Sequence, residues 1–140
     1  MARKSKTVFR LTGDRRDRHY LIMVDDVEVC LPHAILSAFC ELLVGRVRNT
    51  RGFVTISRMT TYRLRKTIND QFGRALEHLI ETGADEEYRL RDGIVSVTVE
   101  ESFAELREKH LVSPSDMDIL LESYRTKKSH AKVDRDFTGS

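Results

Sequence analysis

The side chains best suited to chemistry in this sequence are cations. Arg58, Arg63, Arg65, Lys66 and Arg74 fall within seventeen residues, with Asn69 and Gln71 among them. Guanidinium and ammonium groups meet phosphate oxygens, and a side-chain amide can pair bidentately with adenine in the major groove. Arg89 and Arg91 continue the series further along. Charge is segregated along the chain. Residues 45–75 carry eight Lys/Arg against Asp70 alone, whereas residues 76–122 carry thirteen acids against four bases. The overall charge of +2 therefore conceals a block of the kind an anion-facing surface requires. Arg15, Arg16 and Arg18 sit in "GDRRDRH", read as a loop, where solvated charge and a phosphate-contacting arm are equally good explanations.

Other chemistries find less support. Cys30, His33 and Cys40 have a C-x2-H-x6-C spacing that suggests zinc, but a fourth ligand and a loop to present it are missing. Asp25-Asp26 could bind a cation, yet no third ligand stands at useful spacing, and a tight turn is the better reading. Ser37, Ser57 and Ser96 lack a nucleophile context, and the seven glycines are isolated, so no phosphate loop is expected. The expectation is a protein that is not an enzyme, with no metal and no cofactor.

These residues need a scaffold. "TVFRLT" (7–12), "YLIMV" (20–24) and "VEVCL" (27–31) read as strands, the last two joined by Asp25-Asp26. Pro32 suits the first turn of a helix, and "HAILSAFCELLVGRV" places Ile35, Leu36, Phe39, Leu42 and Leu43 on one core face. "FVTI" (53–56) is a short strand. Next, Leu64 and Ile68 share one helical face, while Phe72, Ala75, Leu76, Leu79 and Ile80 share another, rotated from the first. Asn69-Asp70 lies at the join, and both residues favour caps and turns over helix interiors. Gly73 weakens continuity further. The expectation is helix 57–69, a turn, then helix 70–82 capped by Gly83. "EYRLRDGIVSVTV" (87–99) reads as a hairpin around Asp92-Gly93. A short helix at 101–110 precedes one at about 115–126, with Ser113 or Ser115 as its cap and Met117, Leu120, Leu121 and Tyr124 as its stripe. Residues 1–6 and 127–140 read as a basic arm and a disordered tail.

At 140 residues, 40% apolar and 33% charged, the chain fits one globular domain. No apolar run approaches 18 residues, and no secretory leader is visible. Cys30 and Cys40 sit in apolar stretches and read as buried reduced thiols, which points to the cytoplasm.

Helix, short strand, helix, turn, helix and hairpin is the order of a winged helix-turn-helix: an α+β fold with a small N-terminal antiparallel sheet, a wing hairpin, and here two extra C-terminal helices. "YLIMVDDVEVCLPHAILSAFCELL" resembles the start of the output domains of OmpR/PhoB-type transcriptional regulators. "RLRKTI" (63–68) resembles the segment that closes their recognition helix, and "LIETGADEEYRL" (79–90) resembles the lead into their wing. The resemblance covers residues 18–99. Asp85, Glu86 and Glu87 replace the family's Gly-x-Gly, the 54–63 segment is short for a separate second helix, and there is no receiver domain. A more generic winged-helix pattern instead makes "GRALEHLIETG" (73–83) the reader. The two registers overlap from Arg58 to Arg74.

The resemblance implies a transcriptional regulator that binds double-stranded DNA. Arg58, Arg63, Arg65, Lys66 and Arg74 would contact phosphate or guanine, Asn69 and Gln71 would read adenine, and Arg89 and Arg91 on the wing would touch the adjacent backbone or minor groove. The alternative is a winged helix that docks a protein through its acidic surface, 77–87 and 100–108, without nucleic acid. Ile119, opposite the Met117 stripe, is expected to be exposed, and either it or that stripe could centre a homodimer contact carried by residues 101–126.

Overall fold

The computed structural model of the chain describes residues 7–73, 79–91 and 95–125. It is a mixed α+β structure with two sheets. Strands β1 (Thr7–Arg16), β2 (His19–Val24) and β3 (Val27–Leu31) form an antiparallel meander. Helix α1 (His33–Arg48) follows, then β4 (Val54–Thr55), α2 (Arg58–Phe72), β5 (Ile80–Thr82), β6 (Glu87–Leu90) and β7 (Val95–Val99). A 3₁₀ helix (Glu101–Lys109) and α3 (Pro114–Ser123) complete the order. The first sheet runs β3-β2-β1-β7 and the second β4-β6-β5.

The meander forms where the alternating pattern places it. Asp25 takes a left-handed φ of 54°, as a two-residue hairpin demands of one of its turn residues. Its carboxylate accepts from the Val8 N–H at 2.9 Å, so it stitches the turn to β1. β1 runs four residues past the expected strand, absorbing most of the "GDRRDRH" loop, and the hairpin turns at Asp17 and Arg18. The register shifts between Leu11 and Arg15. Within that bulge Gly13 has φ 90°, and a Cβ there would lie 2.6 Å from the Ser102 carbonyl oxygen, so only glycine lets the 3₁₀ helix approach. The three loop arginines are thereby placed at a hairpin end: Arg15 stacks over Tyr20 and Arg16 pairs with Glu28 at 3.3 Å.

Helix α1 is the centre of the core. Phe39 packs against Phe9 of β1 with ring centroids 5.3 Å apart, and Leu36, Phe39, Leu42 and Leu43 are fully buried. β6, α2 and α3 close around it. Ser113 caps α3 by accepting from the Asp116 N–H, with Pro114 at the first helical position. Met117 and Leu120 are buried, and the Tyr124 hydroxyl donates to the Leu43 carbonyl at 2.6 Å. Ile119 is half-buried against this same core rather than exposed, because α3 lies across α1 and is flanked by the 3₁₀ helix. The apolar stripe read as a dimer centre is thus spent within the chain.

Three further expectations are corrected. Residues 58–72 form one helix that passes through Asn69-Asp70 without a turn, and Gly73 ends it at φ 91° with its N–H bonded to the Asn69 carbonyl. Residues 80–82 are a strand, so the predicted helix 70–82 does not form, and Gly83 lies in a strand connection. Finally, β6 and β7 do not pair with each other. β6 pairs with β4 and β5, while β7 joins the first sheet parallel to β1, Thr7 opposite Val95. The hairpin that does form is β5–β6, turning at 83–86. The Asp92-Gly93 turn, Arg74, the 1–6 arm and the 127–140 tail lie outside the described residues. The expected 101–110 helix is present, wound as 3₁₀.

Candidate nucleic-acid interface

Helix α2 positions most of the predicted contacts. Ser57 caps it: its hydroxyl accepts from the Thr60 N–H at 3.1 Å. The buried stripe is narrow, Thr61, Leu64 and Ile68. Thr61 is satisfied by donating to the Ser57 carbonyl at 3.1 Å. Asn69 and Asp70 cost the helix only some tenths of a kcal/mol each, about 0.7 at most. Packing at Leu64 and Ile68 outweighs that, and Asp70 adds an ion pair with Lys66 at 3.1 Å, four residues back.

The opposite face of α2 is open. Met59 and Tyr62 are each 59% exposed, and Arg63, Lys66 and Asp70 complete the same side. Arg58 is exposed at the N-terminal edge. Its guanidinium stands 3.9 Å from Asp85, and its backbone N–H donates to Glu86 at 3.2 Å. The β5–β6 turn therefore holds a carboxylate against the positive end of α2. Hydrogen bonding to Asp70 and its negative charge raise the Lys66 pKa, so Lys66 is firmly cationic.

Two predicted contacts are committed elsewhere. Gln71, at the C-terminal end of α2, is held against β3. Its amide oxygen accepts from the Cys30 N–H and its amide nitrogen donates to the Cys30 carbonyl, both at 2.7 Å. The side chain mimics a neighbouring strand and occupies the free edge of β3. Arg65 is half-buried and donates to the Ile80 carbonyl at 3.2 Å, which ties α2 to β5. Asn69 is half-buried on the same helix.

Arg89 and Arg91 do not sit on an 87–99 wing. They line an open cleft of 620 Å³ together with Arg46 from the last turn of α1 and Arg51 from the loop after it. Arg89 is fixed from three sides: its Nε donates to Glu81 at 3.0 Å, its Nη1 to the Arg51 carbonyl at 2.5 Å, and its guanidinium covers Phe53 at 4.4 Å from the ring centroid. Sequence reasoning missed Arg46 and Arg51. Their signal was membership of the 45–75 basic block, but only the fold sets them beside β6.

The acidic surface is also thinner than the sequence implies. Glu81 pairs with Arg89, and Glu100 accepts from Arg10 at 2.8 Å. The thiols are unpaired; Cys40 is buried, which pushes its pKa above the usual thiol range, whereas Cys30 is only half-buried. Among the described residues no cluster of three His, Cys, Asp or Glu side chains could hold a metal ion, and no helix is long and apolar enough to cross a membrane. No family model, no curated protein and no solved structure matches the chain.

Proposed function

We propose that this protein binds double-stranded DNA through the exposed face of α2, as a regulator of transcription would. One observation carries the reading: Met59, Tyr62, Arg63 and Lys66 form a continuous solvent-facing stripe, with Arg58 at its edge, on a helix whose one acid is Asp70. Such a face offers phosphate contacts together with an aromatic and an apolar side chain that can meet base edges. The ion pairs to Asp70 and Asp85 are exposed and therefore weak, so a phosphate can displace them. Of the two registers for the reading helix, the earlier one agrees with α2. The β5–β6 hairpin is held at the N-terminus of α2 by Glu86, beside the proposed reading face, and this supports the reading.

The second reading, docking of a protein, is favoured by one feature: the exposed hairpin turn carries Asp85 and Glu86, which repel phosphate. A single assay separates the two. Fluorescence anisotropy with random-sequence duplex DNA across a salt series should show log K falling linearly with log salt. Lys66→Glu should then reduce that slope by about one unit. Absence of duplex binding at low salt would reject the DNA reading and leave the acidic turn as the interaction surface.

A further inference from the structure

The turn between β5 and β6 reaches the N-terminal end of α2 and holds it. The Glu87 N–H donates to the Ala84 carbonyl at 3.0 Å and the Gly83 N–H to the Glu87 carbonyl at 2.7 Å, which closes the turn. The Ile56 N–H donates to the Glu86 carbonyl at 3.1 Å, which pins the turn to the residue before the Ser57 cap. Two carboxylates are thereby delivered to Arg58. That of Glu86 accepts from the Arg58 backbone N–H at 3.2 Å, and that of Asp85 stands 3.9 Å from its guanidinium. α2 has no acid in its own first turn, so this negative charge at its positive end comes from twenty-eight residues away.

Neither side chain is called for by the turn itself. Glu86 has φ 55°, a conformation that glycine adopts freely, and its carboxylate finds its partner at α2. Asp85 and Arg58 are 92% and 79% exposed, and a pair so open to water adds little to stability. Its effect is on the surface: the cation at the edge of the open face has an anion before any ligand arrives. A phosphate approaching Arg58 meets the field of both carboxylates and has to take their place. The exchange asks only for side-chain rotation, because the backbone of the turn stays pinned at Ile56. We propose that the β5–β6 turn is an autoinhibitory gate: Asp85 and Glu86 occupy Arg58 in the free protein and give it up to a DNA phosphate on binding. The gate rests on the reading of α2 as the face that binds duplex DNA, and it assigns the regulation of that face.

Anisotropy titrations of the full-length chain with random-sequence duplex DNA, at low salt and across the salt series, test it. Asp85→Asn/Glu86→Gln should bind about tenfold tighter than the wild type at low salt, because the like charge facing the phosphate is gone. Its salt slope should be steeper by about one unit, since no freed carboxylates then recapture cations. Asp85→Asn/Glu86→Gly, whose glycine suits the left-handed position, should do the same and serves if the first variant does not fold. Arg58→Gln should cost the gate variant at least about three times as much affinity as it costs the wild type, the coupling that a shared contact produces. Asp118→Asn/Glu122→Gln, an equal change of charge at exposed positions of α3, should tighten binding by about twofold or less. Wild-type binding with no gain in either gate variant, an equal gain in the α3 control, or a gain that Arg58→Gln leaves intact overturns the gate and leaves the reading of α2 standing. Absence of duplex binding in the wild type and the gate variants alike rejects the reading and the gate together.

Discussion

Helices α1 and α2 are nearly equal in length and opposite in use. α1 buries nine of its sixteen residues, including a glycine, Gly45, whose added Cβ would meet Val54 at 2.3 Å. α2 buries three of fifteen. A helix so enclosed can do little except hold others in place. A helix held by a narrow stripe can leave one side open to solvent, and in α2 that side is cationic with Met59 and Tyr62 between the charges. The contrast locates structural demand in α1 and interaction capacity in α2. It also explains the Gln71 contact: with so little apolar anchorage, α2 gains a polar attachment to the β3 edge at its C-terminal end.

Substitutions at three positions can break or sharpen this contrast. The largest effect is expected at Phe39, whose ring meets Phe9 at the centre of the core. Phe39→Ala should destabilise the fold by about 3–5 kcal/mol in urea unfolding. A loss near the ±0.5 kcal/mol of a surface change would deny α1 its central role. Gln71→Ala should come next, at about 1–2 kcal/mol, because two hydrogen bonds to an edge strand are lost where water can partly replace them. If that variant keeps full stability and instead loses DNA affinity, Gln71 reads bases after all and the latch is incidental. The smallest effect belongs to Tyr62. Tyr62→Ala should change stability by no more than about 0.5 kcal/mol. A drop beyond 1 kcal/mol would show that the open face of α2 is packed in solution, and the contrast between the helices would fail.

Much of the fold was legible because it is local. The β1–β3 meander, the Asp25-Asp26 turn, the buried face of α1 and the Ser113 cap each depend on spacing within one element or across one turn. The candidate interface was legible in part for the same reason. Arg63 and Lys66 are exposed because they lie opposite Leu64 and Ile68 on a helix whose period is fixed. Arg58 followed from the basic block, whereas the contacts Arg65 and Gln71 make within the chain were not legible because their backbone partners, at Ile80 and Cys30, are fifteen and forty-one residues away.

The sequence by itself determined which segments alternate, which face of α1 is apolar, and where charge of each sign accumulates. Only the tertiary structure decided which strand pairs with which. Val95–Val99 has the pattern of a half-buried strand, and that pattern is satisfied equally by β6 or by β1; the parallel pairing with β1 wins because the second sheet is already filled by β4 and β5 on either side of β6. The same non-local choice carried Arg89 and Arg91 away from a wing and into the cleft with Arg46 and Arg51. Periodicity fixes the direction in which a side chain points along its own element, whereas the neighbour it meets there is set by the packing of the whole chain.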